Sequence, residues 1–538
     1  MKLVKSLLLG SAAGLAAVAG AQAADLPVRK AAPVEYVRVC SAYGVGFFYI
    51  PGTDTCLRVS GRARFEYNVA SARQFSQSPT GFRSTGRINL DARTQTAYGT
   101  LRAFVRYEIA RRTGQFFSGT AQRQGNAELP IGVDFFGQAQ HQIVLDKAFI
   151  QFAGVTAGRA TSFFDFYAND LGFFGIGGGS DRASTNLLAY TASFGSGWSA
   201  TLSLEDPVER RYPIVTNLGG AALVNGATLF AAAEAAIQIF NPITGLPINS
   251  AFVGQRQRNA MPDIVAAVRV DQPWGSAQLS GIVHQISVLG ATIPANTPVT
   301  ATTPNLFQGA TFFGFHPDTE YGYGIQAGVK VNLPMIAPGD LLYLQAVYAR
   351  GCTDCVVGGA WVLGGGSASQ GGIGTNGRFA FNTADGILNP LTNEVSLTKE
   401  WGAVAAFLHY WTPQLRSGFQ LAYSKVDMPS LGGFFVGGVT NSFFSSTGGF
   451  RTSGNVHDWT MINAAVNLIW SPVRDLDIGV EVSYDRIKLG GGSVSDLNKC
   501  AGLGVIPAGV IGPAAVACPF TTSKEDEWRA RLRIQRDF

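Results

Sequence analysis

The chain has 538 residues, with 41 Lys and Arg against 36 Asp and Glu and a formal charge of +5. That balance is too even for a nucleic-acid partner, and no stretch after residue 23 reaches ~18 apolar residues without a charge, so no membrane-spanning helix is expected. The 66 Gly and 36 Phe set against 5 Met suit many strands, turns and aromatic girdles better than helices.

From the N-terminus, Lys2 and Lys5 precede an apolar run from Leu7 to Val18 and the small-residue site Ala21-Gln22-Ala23. This order reads as a cleavable secretory signal over 1–23. Without it the charge falls to about +3. Residues 24–56 form an N-terminal segment, expected on the periplasmic side, that carries Cys40 and Cys56. The other four cysteines also lie in local pairs, Cys352 with Cys355 and Cys500 with Cys518. An even count in an exported chain argues for disulfides, and a barrel wall between the pairs favours nearest neighbours. Cys352-Thr-Asp-Cys355 has redox or zinc spacing, but no second pair or nearby histidine accompanies it, so a loop crosslink is expected.

The first strand is Leu57 to Tyr67, with Leu57, Val59, Ala63 and Phe65 on one face and Arg58, Ser60, Arg62, Arg64 and Glu66 on the other. Strands 83–95 and 101–109 follow, setting Ile88 and Leu90 against Arg87 and Arg93, then Leu101 and Val105 against Arg102 and Arg106. The same period marks strands near 141–153, 155–160, 184–194, 198–205, 262–271, 275–288, 320–332, 340–350, 398–411, 415–426, 458–470, 475–488 and 526–538. Leu229 to Phe240, the best helical stretch, contains Glu234 and is too short to span.

Short and long connections alternate strictly between these strands. Tight turns at Gly154, Gly195-Ser-Gly197, Gln272-Pro-Trp274 and Thr412-Pro-Gln414 alternate with long loops such as 161–183, 206–261 and 351–397. A compact soluble domain rarely has so many long loops. A transmembrane antiparallel up-and-down β-barrel of 16 strands does, with short periplasmic turns and long extracellular loops. One barrel over 57–538 is the expectation, and Tyr98, Trp274, Trp401, Tyr410, Trp411, Trp470 and Trp528 fall near strand ends, where such rings prefer the headgroup level.

The final strand is the sharpest. Trp528, Ala530, Leu532, Ile534 and Phe538 alternate with Glu527, Arg529, Arg531, Arg533, Gln535 and Asp537, and only Arg536 breaks the charge pattern. Ring closure sets Arg529, Arg531 and Arg533 beside Arg58, Arg62 and Arg64, with Arg87, Arg93, Arg102 and Arg106 on the next two strands. An arginine facing lipid at the midplane costs ~2–4 kcal/mol, so these ten must face the lumen. Loop 161–183 supplies the counterpart: aromatic residues to hold it to an inner wall, glycines to bend it, and Asp165, Asp170 and Asp181 to face cations. Asp475, Asp477, Glu481 and Asp485 add acidic charge one strand before the basic wall.

Val34 to Cys40 and Phe47-Phe-Tyr-Ile-Pro-Gly-Thr-Asp-Thr-Cys56-Leu-Arg-Val resemble the start of the alphaproteobacterial outer-membrane porins. Gly158-Arg159 and an inward third loop resemble the general bacterial porins. The resemblance implies a homotrimer of sixteen-stranded barrels in the bacterial outer membrane, among lipids and lipopolysaccharide. It also implies passive diffusion of small hydrophilic solutes through a constriction between loop three and a basic wall. Arginines on one side and carboxylates on the other would then create a transverse field across an aqueous bore, with weak ion selectivity of undecided sign.

Catalysis finds little support. Five histidines, His141, His284, His316, His409 and His457, give no H-E-x-x-H or closely spaced metal pair, and Gly177-Gly-Gly179 lacks the Lys-Ser/Thr of a phosphate loop. No cofactor or metal is expected, and His284 and His409 read as solvated or hydrogen-bonded. Three alternatives stay open: a substrate-specific channel, a surface-anchoring barrel with a blocked lumen, and a secreted soluble β enzyme.

Overall fold

The computed structural model describes residues 38–70, 80–113, 140–167, 169–181, 184–212, 214–217, 223–224, 227–228, 252–255, 257–288, 317–358, 372–373, 380–381, 384–389, 394–429, 450–452, 458–491, 494–496 and 521–538. Residues 1–37, which include the expected signal, and most of the longest connections lie outside the described residues. Of the three disulfides expected between neighbouring cysteines, Cys40–Cys56 and Cys352–Cys355 are formed. Cys500 and Cys518, the third expected pair, both lie outside the described residues.

The chain divides into two compact units, 1–57 and 58–538. In the first, the Cys40–Cys56 disulfide sits among short backbone contacts. The Cys40 amide donates to the Phe47 carbonyl at 2.9 Å and the Tyr49 amide to the Arg38 carbonyl at 2.8 Å. Cys40, Phe47 and Cys56 bury one another, flanked by Tyr43 and Tyr49. So small an apolar cluster gains from a covalent closure of its loop.

The second unit is a closed antiparallel barrel of sixteen strands, matching the strand count and order read from the sequence. They are β1 (Cys56–Ala70), β2 (Thr80–Thr96), β3 (Gly99–Arg112), β4 (Gln140–Phe152), β5 (Val155–Ala160), β6 (Thr185–Gly195), β7 (Trp198–Glu205), β8 (Asp263–Gln272), β9 (Gly275–Ile286), β10 (Glu320–Asn332), β11 (Leu341–Arg350), β12 (Lys399–Thr412), β13 (Leu415–Asp427), β14 (Trp459–Val473), β15 (Leu476–Leu489) and β16 (Lys524–Asp537). The ring closes where β16 pairs with β1, from Arg62 opposite Asp537 to Ala70 opposite Arg529. Phe538 extends that ladder, exchanging two backbone hydrogen bonds with Gly61 at 2.8 and 3.0 Å. No strand of the ring is left with an unpaired edge, as hydrocarbon demands.

The burial pattern is inverted relative to a soluble protein. Ile88, Leu279 and Leu421 are 54–57% exposed on the outer face, while Glu66 and Arg531 on the inner face are 0 and 1% exposed. Period-two alternation produces both faces at once, and the apolar band meets lipid. The short turns reverse tightly: Ala153-Gly154 (φ 48° and 85°) and Ser196-Gly197 (φ 49° and 76°) take the left-handed values that match strand twist in two-residue hairpins.

Two features could not be read from alternation. A bulge shifts the β3–β4 register between Arg106 and Tyr107, so that Asp146 and Lys147, consecutive in sequence, are both buried on the inner side. In addition, segments of loops 206–262 and 351–398 share a small sheet. Ile214–Asn217 pairs antiparallel with Phe252–Gln255 and parallel with Gly386–Asn389, which pairs in turn with Glu394–Leu397.

Candidate functional site

The third long connection, after β5, folds against the inner wall, and an almost continuous ladder of polar side chains fastens it there. Gln278 and Ser280 of β9 and Gln326 of β10 donate to the carbonyls of Asp165 and Phe164 at 2.7–3.0 Å. Gln345 of β11 accepts from the Tyr167 amide at 2.8 Å, and Gln420 of β13 accepts from the Tyr167 hydroxyl at 2.7 Å. From β14, Asn467 donates to the Leu171 carbonyl and Asn463 accepts from the Gly177 amide. A loop cannot lie inside a barrel with its backbone groups orphaned, and the ladder meets that demand. Glycine allows close approach at Gly178 (φ 87°), where a Cβ would run into the Ala403 carbonyl of β12.

The tip of the loop reaches the end of the chain. Glu481 of β15 accepts from the amides of both Phe173 and Phe174 at 2.7 Å. Arg531 and Arg533 donate to the Phe173 carbonyl at 2.5 and 3.2 Å. Their guanidinium carbons stand 3.9 Å from the Phe174 centroid and 4.0 Å from the Phe173 centroid, respectively. Such cation–π stacking strengthens away from water.

The ten arginines read as a wall therefore divide. Arg529 and Arg531 are buried beneath Phe174, Arg529 bonded to Asp485 and Arg531 to Asn68. Arg533 is paired with Glu66 at 2.8 Å. Arg87 pairs with Glu108 at 2.6 Å, Arg62 with Asp537 at 2.5 Å, and Arg106 with Asn89 at 2.8 Å and Asp146 at 3.3 Å. Arg64 directs Nε and Nη2 to the neutral Gln535 oxygen at 2.8 and 2.6 Å. Arg93 and Arg102 share Asp91 at 2.8 and 2.9 Å, and Arg58 is exposed at the start of β1.

The loop acids divide as well. Asp165 is buried, bonded to Ser180 and 3.3 Å from Arg210, and burial raises its carboxyl above the usual range despite that arginine. Asp181 is buried and accepts from Asn169 at 3.0 Å. Asp170 is exposed, with the Tyr343 hydroxyl 3.5 Å away. Between loop and wall lies a cavity of about 540 Å3. Arg62, Arg64, Arg87, Arg106 and Arg533 line it on the wall side, with Asp165 and Asp170 on the loop side. Arg58, Arg93, Arg102, Arg529, Arg531 and Asp181 are outside this lining.

Residue-by-residue reading missed three parts of the site. Lys147 lines the cavity and donates to Thr161 at 2.5 Å; two adjacent charges in one strand, Asp146-Lys147, were its only signal. The amide ladder resembled ordinary lumen polarity. Arg210 ties three inward segments together, lying 3.3 Å from Asp165, 3.8 Å from Glu205 and 3.5 Å from Asp354. Asp354 belongs to a short helix, Thr353–Val357, that packs with Phe164, Trp459 and Met461 in an apolar cluster. The Cys352–Cys355 disulfide lies in the same turn and is the loop crosslink its spacing suggested. Beside it, buried Asp385 accepts from the amides of Tyr212 and Thr353 at 2.7 and 2.8 Å, and burial pushes its carboxyl up to about 7. His284 and His409 are hydrogen-bonded to Asp263 and Asp340, each at 2.7 Å.

A family model described as the Porin subfamily matches residues 25–499. Porin Omp2b of Brucella suis is 31% identical over 353 residues, covering 63% of this chain and 83% of the relative. Porin Omp2b of Brucella abortus (strain 2308) is 32% identical over 355 residues, with the same shares. The outer membrane channel DcaP of Acinetobacter baumannii aligns over 91% of this chain and 99% of its own at 12% identity, with a TM-score of 0.51, a likeness of fold alone. The match spanning most of the chain, together with a closed sixteen-stranded barrel, assigns this protein to the porin family, as a general diffusion channel of the outer membrane.

Proposed function

We propose that solutes cross through the gap between the third loop and the arginine wall, and that this gap is the constriction of the channel. The carrying observation is the 540 Å3 cavity, with arginines on one side and Asp165 and Asp170 on the other. Charges fixed in that way orient a dipolar solute and disfavour an apolar one, with no bond chemistry. The stacking of Arg531 and Arg533 on Phe174 and Phe173 favours a loop that stays in place during passage. Removal of 1–23 on export, a periplasmic-side segment over 24–56, and a homotrimer set among outer-membrane lipids and lipopolysaccharide complete the proposal.

Planar bilayer recording tests it. Stepwise current that falls as larger neutral sugars are added to the electrolyte supports diffusion through the gap. Absence of current steps would favour a surface anchor with a blocked lumen. Competitive block by one solute at low concentration would favour a substrate-specific channel.

A further inference from the structure

We infer that the outer face of β11–β16, at the strand ends that carry the long loops, is a docking surface for the phosphate groups of lipopolysaccharide; this rests on the outer-membrane setting proposed above. The observation is a repeated pairing of like charges. Arg350 of β11 stands directly opposite Lys399 of β12, and Lys488 of β15 directly opposite Lys524 of β16. All four are exposed, in step with outward residues such as Leu344 and Val482. Like charges directly opposite one another in an antiparallel ladder repel. None of the four has an ion-pair partner among the described residues.

The acids nearby are engaged elsewhere. Asp427, which faces Lys399 across the β12–β13 ladder, is paired with Lys425 at 2.8 Å. Asp526 accepts from the Tyr484 hydroxyl at 2.8 Å and lies 3.6 Å from Arg486, and Asp458 accepts from the Met428 amide at 2.7 Å. Elsewhere on the outer face, by contrast, Arg159 of β5 is matched by Glu209 at 2.6 Å.

Height in the membrane identifies the anion. On the same face, nearer the middle of the strands, Tyr348 and Trp401 stand opposite each other beneath Arg350 and Lys399. Tyr484 and Trp528, with ring centroids 4.8 Å apart, stand likewise beneath Lys488 and Lys524. Such rings prefer the headgroup level, so cations just beyond them on the loop side stand where lipid phosphates lie. Lysine meets a phosphate as a point charge and arginine as a fork of donors. Two cations opposed across one ladder can therefore share a headgroup phosphate, which removes their mutual repulsion.

Native mass spectrometry of the full-length protein in detergent, titrated with diphosphoryl lipid A or with its dephosphorylated form, tests the surface. The native protein should bind the phosphorylated lipid at least about tenfold more tightly, since each cation near an anionic headgroup is worth about fivefold in affinity. Neutralising both pairs, with Arg350→Gln, Lys399→Gln, Lys488→Gln and Lys524→Gln, should weaken that binding by about twenty-five-fold, two cations being lost from each headgroup. Lys488→Gln with Lys524→Gln alone should lose one bound copy of lipid A, which keeps the test decisive if the fourfold variant misfolds. The charge-keeping Lys488→Arg with Lys524→Arg should bind as the native protein does. Equal affinity for the two lipid forms, or neutral variants that bind as tightly as native, overturns the phosphate surface and leaves the lipid setting standing. Displacement of lipid A by millimolar inorganic phosphate also overturns it, by assigning these cations to free phosphate. Binding of neither lipid form overturns the lipopolysaccharide setting beneath it.

Discussion

Arg533 donates through Nε to Glu66 at 2.8 Å across the seam where the last strand meets the first. Glu66 also lies 3.8 Å from Arg531, so one buried carboxylate serves two guanidinium groups that hold the loop tip. Removing one member of a buried charge pair costs ~3–5 kcal/mol, because the remaining charges keep their desolvation penalty. Glu66→Gln should therefore lower the temperature at which the barrel loses its heat-modifiable gel migration. An unchanged transition would mean that the seam is held by its backbone ladder alone.

Glu481 accepts the amides of Phe173 and Phe174 through its two carboxylate oxygens. Glu481→Leu takes that acceptor from two buried donors, each worth ~1–3 kcal/mol. The tip should detach, giving larger single-channel conductance and noisier open levels. Conductance indistinguishable from native would show that the arginine contacts suffice.

Selectivity should follow the cavity lining rather than the count of lumen arginines. Arg64 lines the cavity, whereas Arg102 is paired with Asp91 and bonded to Gln151 outside that lining. Arg64→Gln should lower the anion-to-cation permeability ratio by about sevenfold, because one charge about 7 Å from the ion path shifts the anion and the cation by about 2.7-fold each, in opposite directions. Arg102→Gln should change it distinctly less, and equal shifts would place the narrowest point elsewhere.

Asp385 gives the protein a pH dependence of defined sign. Its carboxyl is raised to about 7 by burial, so the folded state favours the neutral form. That contribution is fully present below about pH 4, the ordinary aspartate value, and is lost as pH rises through about 7. Protease cleavage within loop 351–398 should become faster between about pH 4 and 7. Asp385→Asn should flatten the profile; a slope that survives the substitution would assign it to another group.

The architecture was legible because lipid outside and water inside impose one rule on every strand. All sixteen strands could be located from the sequence, although alternation was weakest at β5 and β12, where it left the register open; β5, only six residues long, pairs through five residues with β4 and six with β6. The lumen parity of the arginines followed from the cost of facing hydrocarbon. Which of them meet water did not, since that depends on where a loop lies. Phe173 and Phe174 cover Arg529, Arg531 and Arg533, and nothing local to β16 encodes that contact. Lys147 was hidden for a different reason: a bulge changes the parity of everything beyond it, and alternation has no way to announce one. The interlocking of loops 206–262 and 351–398 depends on pairings more than a hundred residues apart.

Most anchors of the third loop, from Gln278 through Gln326, Gln345, Gln420 and Asn467 to Glu481 and Arg533, come later in the chain than the loop itself. The proposed narrowing would therefore take shape only after the C-terminal half of the barrel is built. An assembly intermediate halted before that point would have a gaping, ungraded bore or none at all, and the sieve would be the last part of the molecule to mature.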